Sequence, residues 1–428
     1  MPRVYHTHMK ALTLSGLFSA LVLLSGSLPL DARPAVAAGE LRMVVVVSRH
    51  GVRSPTHPNE LAAYARQPWP AWSGTPGDLT PRGASLMQQF GAAYRRRYGP
   101  ALGFGTSGCP PAGSIFIWAD VDQRTKATGK AVAEGFAPGC AISVGHAPND
   151  PDTLFDPLPG VGTVNKAEST AAVMAAAGGS STALTQRYAA TFALMERVLG
   201  CAGPASCKKI SADPTTADNS GDGGLASLNG GLDEAGDVAE NLLLEYVDGH
   251  PDVGWGRVDH ATLVQLLTLH ELGKEIEHNR YAARAHSSNI MVHAVLQALQ
   301  EGATGRPVPG TRVPAQSRFV FFSGHDTQLA EFAGLLRISW QIPGDARNDT
   351  PPGSALVFEL HKRPGGADFV RTFFTAQSLD AMRAGKGGDP LRVPVRIPGC
   401  PSLDCPFATF AQVVNGATDP KFVMATWK

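Results

Sequence analysis

Three short apolar runs in this chain each give way abruptly to charged residues. Leu41 to Val47 is an unbroken aliphatic, β-branched stretch ended by a polar loop, the pattern of a strand buried on both faces of a sheet. Ser114 to Trp118 precedes Ala119-Asp120-Val121-Asp122, and Phe319 to Phe322 precedes Ser323-Gly324-His325-Asp326. Three strand ends therefore present polar side chains, and open α/β sheets bind ligands at the carboxyl ends of their strands. Helical periods lie between these runs. Thr80-Pro81 supplies an N-cap and a first-turn proline, and Leu86, Phe90 and Tyr94 then recur every fourth residue. Thr182 to Leu199 and Thr262 to Glu277 repeat the pattern, whereas Ser211 to Gly231, rich in Gly, Ser, Asn and Asp, reads as a loop. Ser354 to Leu360 and Phe369 to Phe374 flank Pro364-Gly365-Gly366 and predict a hairpin at the sheet edge.

With 428 residues, 43% of them hydrophobic, the chain is long enough for one large domain with an insert, or two domains. Its 37 basic and 37 acidic residues cancel, so no global field draws it to nucleic acid or an anionic membrane, and any anion affinity must be local. Arg3 and Lys10, an apolar run from Ala11 to Leu30, and Ala35-Val36-Ala37-Ala38 have the layout of a signal peptide cleaved near Ala37 or Ala38. No membrane association is expected after cleavage. Six cysteines fall as near neighbours in sequence: Cys109 and Cys140, Cys201 and Cys207, Cys400 and Cys405. Export favours disulfides; zinc is the rival use, but there is no C-x-x-C pair and no cysteine flanked by histidine at ligand spacing.

The densest chemistry directly follows the first strand, in Arg49-His50-Gly51-Val52-Arg53-Ser54-Pro55-Thr56. Its five fixed positions, Arg, His, Gly, Arg and Pro, arise by chance on the order of once in ten thousand chains of this length. A glycine beside the histidine lets a phosphate approach the backbone, and two guanidinium forks match phosphate oxygens. The His325-Asp326 dipeptide alone is a weak signal, readable as a helix cap, but its place after a buried strand strengthens it. In Asp122-Gln123-Arg124-Thr125, Arg124 alone reads as a surface cation; beside the other two motifs it reads as a third phosphate arginine. Glu240 has two readings, a pocket-lining carboxylate or part of a solvated helix face, and Arg284 is a further candidate for the pocket wall.

These residues resemble the histidine acid phosphatase family, branch 2 of the histidine phosphatase superfamily, which carries R-H-G-x-R-x-P; the likeness spans nearly the whole mature chain. The resemblance implies an α/β fold, a mainly parallel central sheet flanked by helices with a smaller inserted α-helical domain. Residues 1–38 would be the signal peptide, 39–160 and 255–428 the phosphatase core, and 161–254 the helical cap. It implies that His50 becomes a phosphohistidine and that Asp326 protonates the leaving oxygen. Arg49, Arg53, Arg124 and His325 would bind phosphate, and Thr56 and Glu240 would line the substrate pocket. It implies disulfides within the three cysteine pairs, no metal and no cofactor, and a monomer acting on a small phosphomonoester in the periplasm or outside the cell.

Within the family, Leu79-Thr80-Pro81-Arg82-Gly83, Gly254-Trp255-Gly256-Arg257 and Asp349-Thr350-Pro351-Pro352-Gly353 are most similar to bacterial periplasmic phytases and glucose-1-phosphatases. Thr327, in the phytase-like H-D-T, tilts the expectation to inositol hexakisphosphate, with glucose 1-phosphate or a broad range of phosphomonoesters as the alternative. His57 stands where phytases often have lysine, and Gly162 stands where one partner of a further phytase disulfide is expected. A phosphoglycerate mutase-like transferase would share the histidine but is usually cytoplasmic, and a binding protein that had lost catalysis would lack His50 or Asp326.

Overall fold

Alternation explains the unbroken apolar run of the first strand, β1 (Glu40–Arg49). Met43, Val45 and Val47 point into one apolar layer and Val44 and Val46 into another, and all five are buried. A strand covered on both faces has no polar position to spare, and each such side chain contributes roughly 1.5 to 3 kcal/mol of hydrophobic stabilisation. The computed structural model describes residues 39–158, 160–201 and 207–427, so the expected leader, residues 1–38, lies outside them.

The remaining strands are β2 (Ile115–Ala119), β3 (Val144–Gly145), β4 (Thr216–Asp218), β5 (Ser227–Asn229), β6 (Phe319–Gly324), β7 (Ala355–Lys362), β8 (Asp368–Ala376), β9 (Leu391–Pro394) and β10 (Cys405–Pro406). The main sheet runs β10-β8-β7-β1-β6-β2-β3, with β9 also on β8, while β4 and β5 form a separate ribbon inside the segment expected to be a loop. β1, β6, β2 and β3 are parallel to one another, and β7, antiparallel to β1, begins an antiparallel half completed by β8 to β10. The expected hairpin is β7–β8, but β7 lies against β1 in the sheet interior.

Helices α1 (Pro81–Tyr98) and α2 (Gln123–Phe136) cover one face, where Met87, Phe90, Val132 and Phe136 pack on Val44, Val46, Phe319 and Phe321. Thr80 caps α1 by accepting the Gly83 N–H at 2.9 Å. The two helices touch closely because Gly91 and Gly135 lack a Cβ; one there would collide with the Val132 and Gln88 carbonyls. Next come α3 (Lys166–Ala176), α4 (Ser181–Arg187), α5 (Ala189–Leu199), α6 (Gly231–Asp248) and α7 (His260–Glu277). α5, α6 and α7 share an apolar cluster of their own, including Phe192, Met195, Leu242, Leu243 and Leu267. The apolar period from Thr182 to Leu199 predicts one helix; the structure has two, because Tyr188 leaves the helical well (φ −104°, ψ 16°). Side-chain spacing does not register such a break. The second sheet face is covered by α8 (Arg280–Ile290), a π-helical turn over Met291–Leu296, α9 (Gln297–Thr304), α10 (Asp326–Leu336) and, after the short α11 (Leu379–Arg383), by α12 (Phe407–Ala417).

Disulfides join Cys109 to Cys140, Cys201 to Cys207 and Cys400 to Cys405. Among the described residues no helix is long and apolar enough to cross a membrane.

Candidate active site

Strand register assembles the site. β6 lies between β1 and β2, with Arg49 opposite Gly324 and Ser323 opposite Ala119. The next residues, His50, His325 and Asp120, therefore leave neighbouring parallel strands at one carboxyl edge. Backbone bonds fix their exits: His50 N–H donates to the Gly324 carbonyl at 2.8 Å, Asp120 N–H to Ser323 at 3.0 Å, and Gly353 N–H to His50 at 2.8 Å. Gly51 is required from below, since a Cβ would meet Met87 Cγ at 2.6 Å and Leu79 Cδ1 at 3.0 Å.

His50 is 2% exposed, and its Nδ1 lies 2.8 Å from the Gly51 carbonyl oxygen. A carbonyl only accepts, so Nδ1 carries the proton, and in the neutral ring Nε2 keeps its lone pair. Burial, followed by the charges of Arg49, His325, Arg124 and Arg53, holds this imidazole well below the ordinary histidine range. It stays neutral at acid pH, where an unperturbed histidine would be protonated.

Around it stand cations. Arg49 is buried; it donates to the Thr350 carbonyl at 2.6 Å and pairs with Glu240, and its Nη1 lies 3.8 Å from Asp326 Oδ2. Arg53 Nη2 meets the same Glu240 oxygen at 3.3 Å. Glu240 is buried, which excludes the solvated-face reading; burial works against its charge, but Arg49, Arg53 and His270 prevail and hold its carboxyl below the usual range. Arg124, second residue of α2, bonds Asp122 at 2.6 Å and lies 3.5 Å from His325 Nδ1. His325 Nε2 is 2.8 Å from Asp120 Oδ2, and its ring packs edge-on to His50 with centroids 5.5 Å apart.

Asp326 opens α10, where helix N–H groups favour a carboxylate. It forms an ion pair with Lys274 of α7. Burial opposes ionisation, but Arg49, Lys274 and His270 outweigh it and hold Asp326 well below the carboxylate range. Behind Arg49, burial and the nearby Asp345 push Asp349 up to about 7. Burial and Asp349 likewise hold Glu271 well above its usual range, so both acids stay neutral in acid.

The sequence matches the description "Histidine phosphatase superfamily (branch 2)" over residues 40–243 and 259–375, most of the chain. The chain belongs to this superfamily branch. Phytase AppA of Escherichia coli (strain K12) is 34% identical over 426 residues, 93% of this chain and 97% of that protein. Glucose-1-phosphatase of Salmonella typhimurium is 27% identical over 432 residues, 96% of this chain and 100% of that one. Hafnia alvei phytase in complex with tartrate superposes with a TM-score of 0.84 at 32% identity, covering 91% of this chain and 99% of the other. The same enzyme in complex with myo-inositol hexakis sulphate gives 0.82 at 31%, with the same coverage.

In this histidine phosphatase the structure gathers His50, Arg49, Arg53, Arg124, Glu240, His325 and Asp326 at one place. Thr56, exposed, flanks Gly77 together with Arg124: a Cβ on Gly77 would stand 3.2 Å from Thr56 Cγ2 and 3.6 Å from Arg124 Nη1. His57 is exposed beside Glu60. Arg284 donates to the Thr418 carbonyl at 3.4 Å. Sequence reasoning missed Lys274 and His270. The signal was there: Leu263, Leu267, His270 and Lys274 share one face of α7, so two polar residues continue an apolar stripe that ends at Asp326, the first residue of α10.

Proposed function

We propose that the protein hydrolyses phosphomonoesters through a phosphohistidine, with His50 as nucleophile and Asp326 as proton donor. The observation that supports this most is the neutral, Nδ1-anchored His50 among Arg49, Arg53, Arg124 and His325. His50 Nε2 attacks phosphorus in line, the P–O bond breaks, and Asp326 protonates the departing oxygen. Water, activated by Asp326 as base, then cleaves the P–N bond and returns neutral His50. Cationic side chains meet the equatorial oxygens, so no step draws on a metal ion. Glu240 orients Arg49 and Arg53, and Thr56 lies on the rim.

The substrate we favour is inositol hexakisphosphate. Thr327 supports it, as do the phytase relatives and the inositol hexasulphate complex of the Hafnia alvei enzyme. Residues 161–254 are read as the cap, with 39–160 and 255–428 as the core. The protein works as a monomer in the periplasm or outside the cell after loss of residues 1–38, a setting in which three disulfides persist.

Steady-state kcat/KM at about pH 5, with EDTA present, tests the substrate. Phytate should exceed glucose 1-phosphate by about tenfold or more, about 1.4 kcal/mol of transition-state binding. If glucose 1-phosphate leads instead, the phytase reading falls and the histidine mechanism stands.

A further inference from the structure

A proton donor paired with two cations is a paradox. Asp326 must hold a proton when the leaving oxygen departs, yet its carboxylate pairs with Lys274 and has Arg49 Nη1 3.8 Å away. One of these cations has to give way. Arg49 cannot: it is 1% exposed and fixed by the Thr350 carbonyl and Glu240. Lys274 differs in each respect. Its side chain is 12% exposed, its ion pair with Asp326 is the single one it makes among the described residues, and its ammonium rides a flexible four-carbon stem.

The geometry points to Lys274 as a mobile counterion that keeps Asp326 ionised until a substrate phosphate draws the ammonium away, freeing Asp326 to take up the proton it later donates. The inference rests on Asp326 being the donor. The proton comes from solvent on substrate binding and passes to the leaving oxygen as the P–O electron pair departs. Arrival of the dianion thus charges the acid. The titratable and charged groups facing Asp326 are Arg49 and Arg53 from the β1 end, Glu240 from α6, and His270, Glu271 and Lys274 from α7. Of these, Lys274 alone is a cation on a long stem with no competing ion pair among the described residues. Lys274 is therefore a positioning residue for the reaction, and neutralising it should leave the donor easier to protonate in the free enzyme.

The test is the pH profile of kcat/KM for glucose 1-phosphate in the full chain and in Lys274→Met, Lys274→Gln, Lys274→Arg and Asp326→Asn. The substrate's own titration is common to all five. An opposite charge at ion-pair distance lowers a carboxyl by about one unit or more. The alkaline limb, where the donor loses its proton, should therefore move up by about one pH unit in both neutral variants and return to the wild-type position in Lys274→Arg. A uniform fall in activity with the limb unmoved in both neutral variants would overturn the role of Lys274. If Asp326→Asn instead keeps wild-type activity and limb, the donor assignment itself fails, an outcome distinct from the first.

Discussion

Replacing His50 with alanine should lower kcat/KM for any phosphomonoester by at least about 10⁴-fold, the scale of loss when a covalent nucleophile is removed. The reason lies in how the ring is held. Nδ1 is committed to the Gly51 carbonyl, the ring is buried, and the flanking arginines keep it unprotonated, so one lone pair is available and it belongs to Nε2. His325 is placed differently: its Nε2 is held by Asp120 at 2.8 Å and its Nδ1 is turned to Arg124 Nη2 at 3.5 Å, so its lone pair faces a cation. Arg49, Arg53 and Arg124 remain in the variant, so inorganic phosphate should still bind within about threefold of the wild-type Kd, a difference of about 0.6 kcal/mol. Steady-state assays with parallel phosphate-binding titrations check both halves. Activity above about one per cent would mean that a group other than His50 performs the attack.

Asp326→Asn should show an effect that depends on the leaving group. General acid catalysis contributes on the order of 10² to 10⁴-fold, and it matters only where the departing oxygen is a poor leaving group. For glucose 1-phosphate, kcat should fall by about 10³-fold; for p-nitrophenyl phosphate, whose phenolate departs unaided, the first step should slow by about tenfold or less. Water attack on the phosphohistidine also loses its base. With p-nitrophenyl phosphate the variant should release a burst of nitrophenolate followed by slow turnover, read directly by stopped-flow absorbance. Equal losses for both substrates in the phosphorylation step, read as kcat/KM, would assign Asp326 to charge balance around Arg49 and Lys274 instead of to proton transfer.

Much of this site was legible in the sequence because its parts sit at strand ends, where a both-faces-buried strand announces itself as an apolar run and the next residues are fixed in place by register. Arg49-His50, Asp120 to Arg124 and His325-Asp326 all belong to that class. The residues that tune them were harder to see. Glu240 and His270 reach the site from the interiors of α6 and α7 and Lys274 from the last turn of α7, and only tertiary packing brings these helix positions to the sheet edge. The antiparallel half of the sheet was legible only as one hairpin: the two-residue β10 and the four-residue β9 carry too little pattern to be read as strands. Tyr188 breaks a helix whose apolar period continues through it, and nothing in the side-chain spacing records the backbone change.

The most direct test of the covalent mechanism is to mix the Asp326→Asn enzyme with p-nitrophenyl [³²P]phosphate, quench in alkaline detergent during the burst, and map the labelled peptide. The predicted result is about one phosphoryl group per chain, stable to alkali and labile to acid, on the peptide that contains His50 and absent when His50 is also replaced. A full nitrophenolate burst with no label, or with label on any other residue, would contradict it.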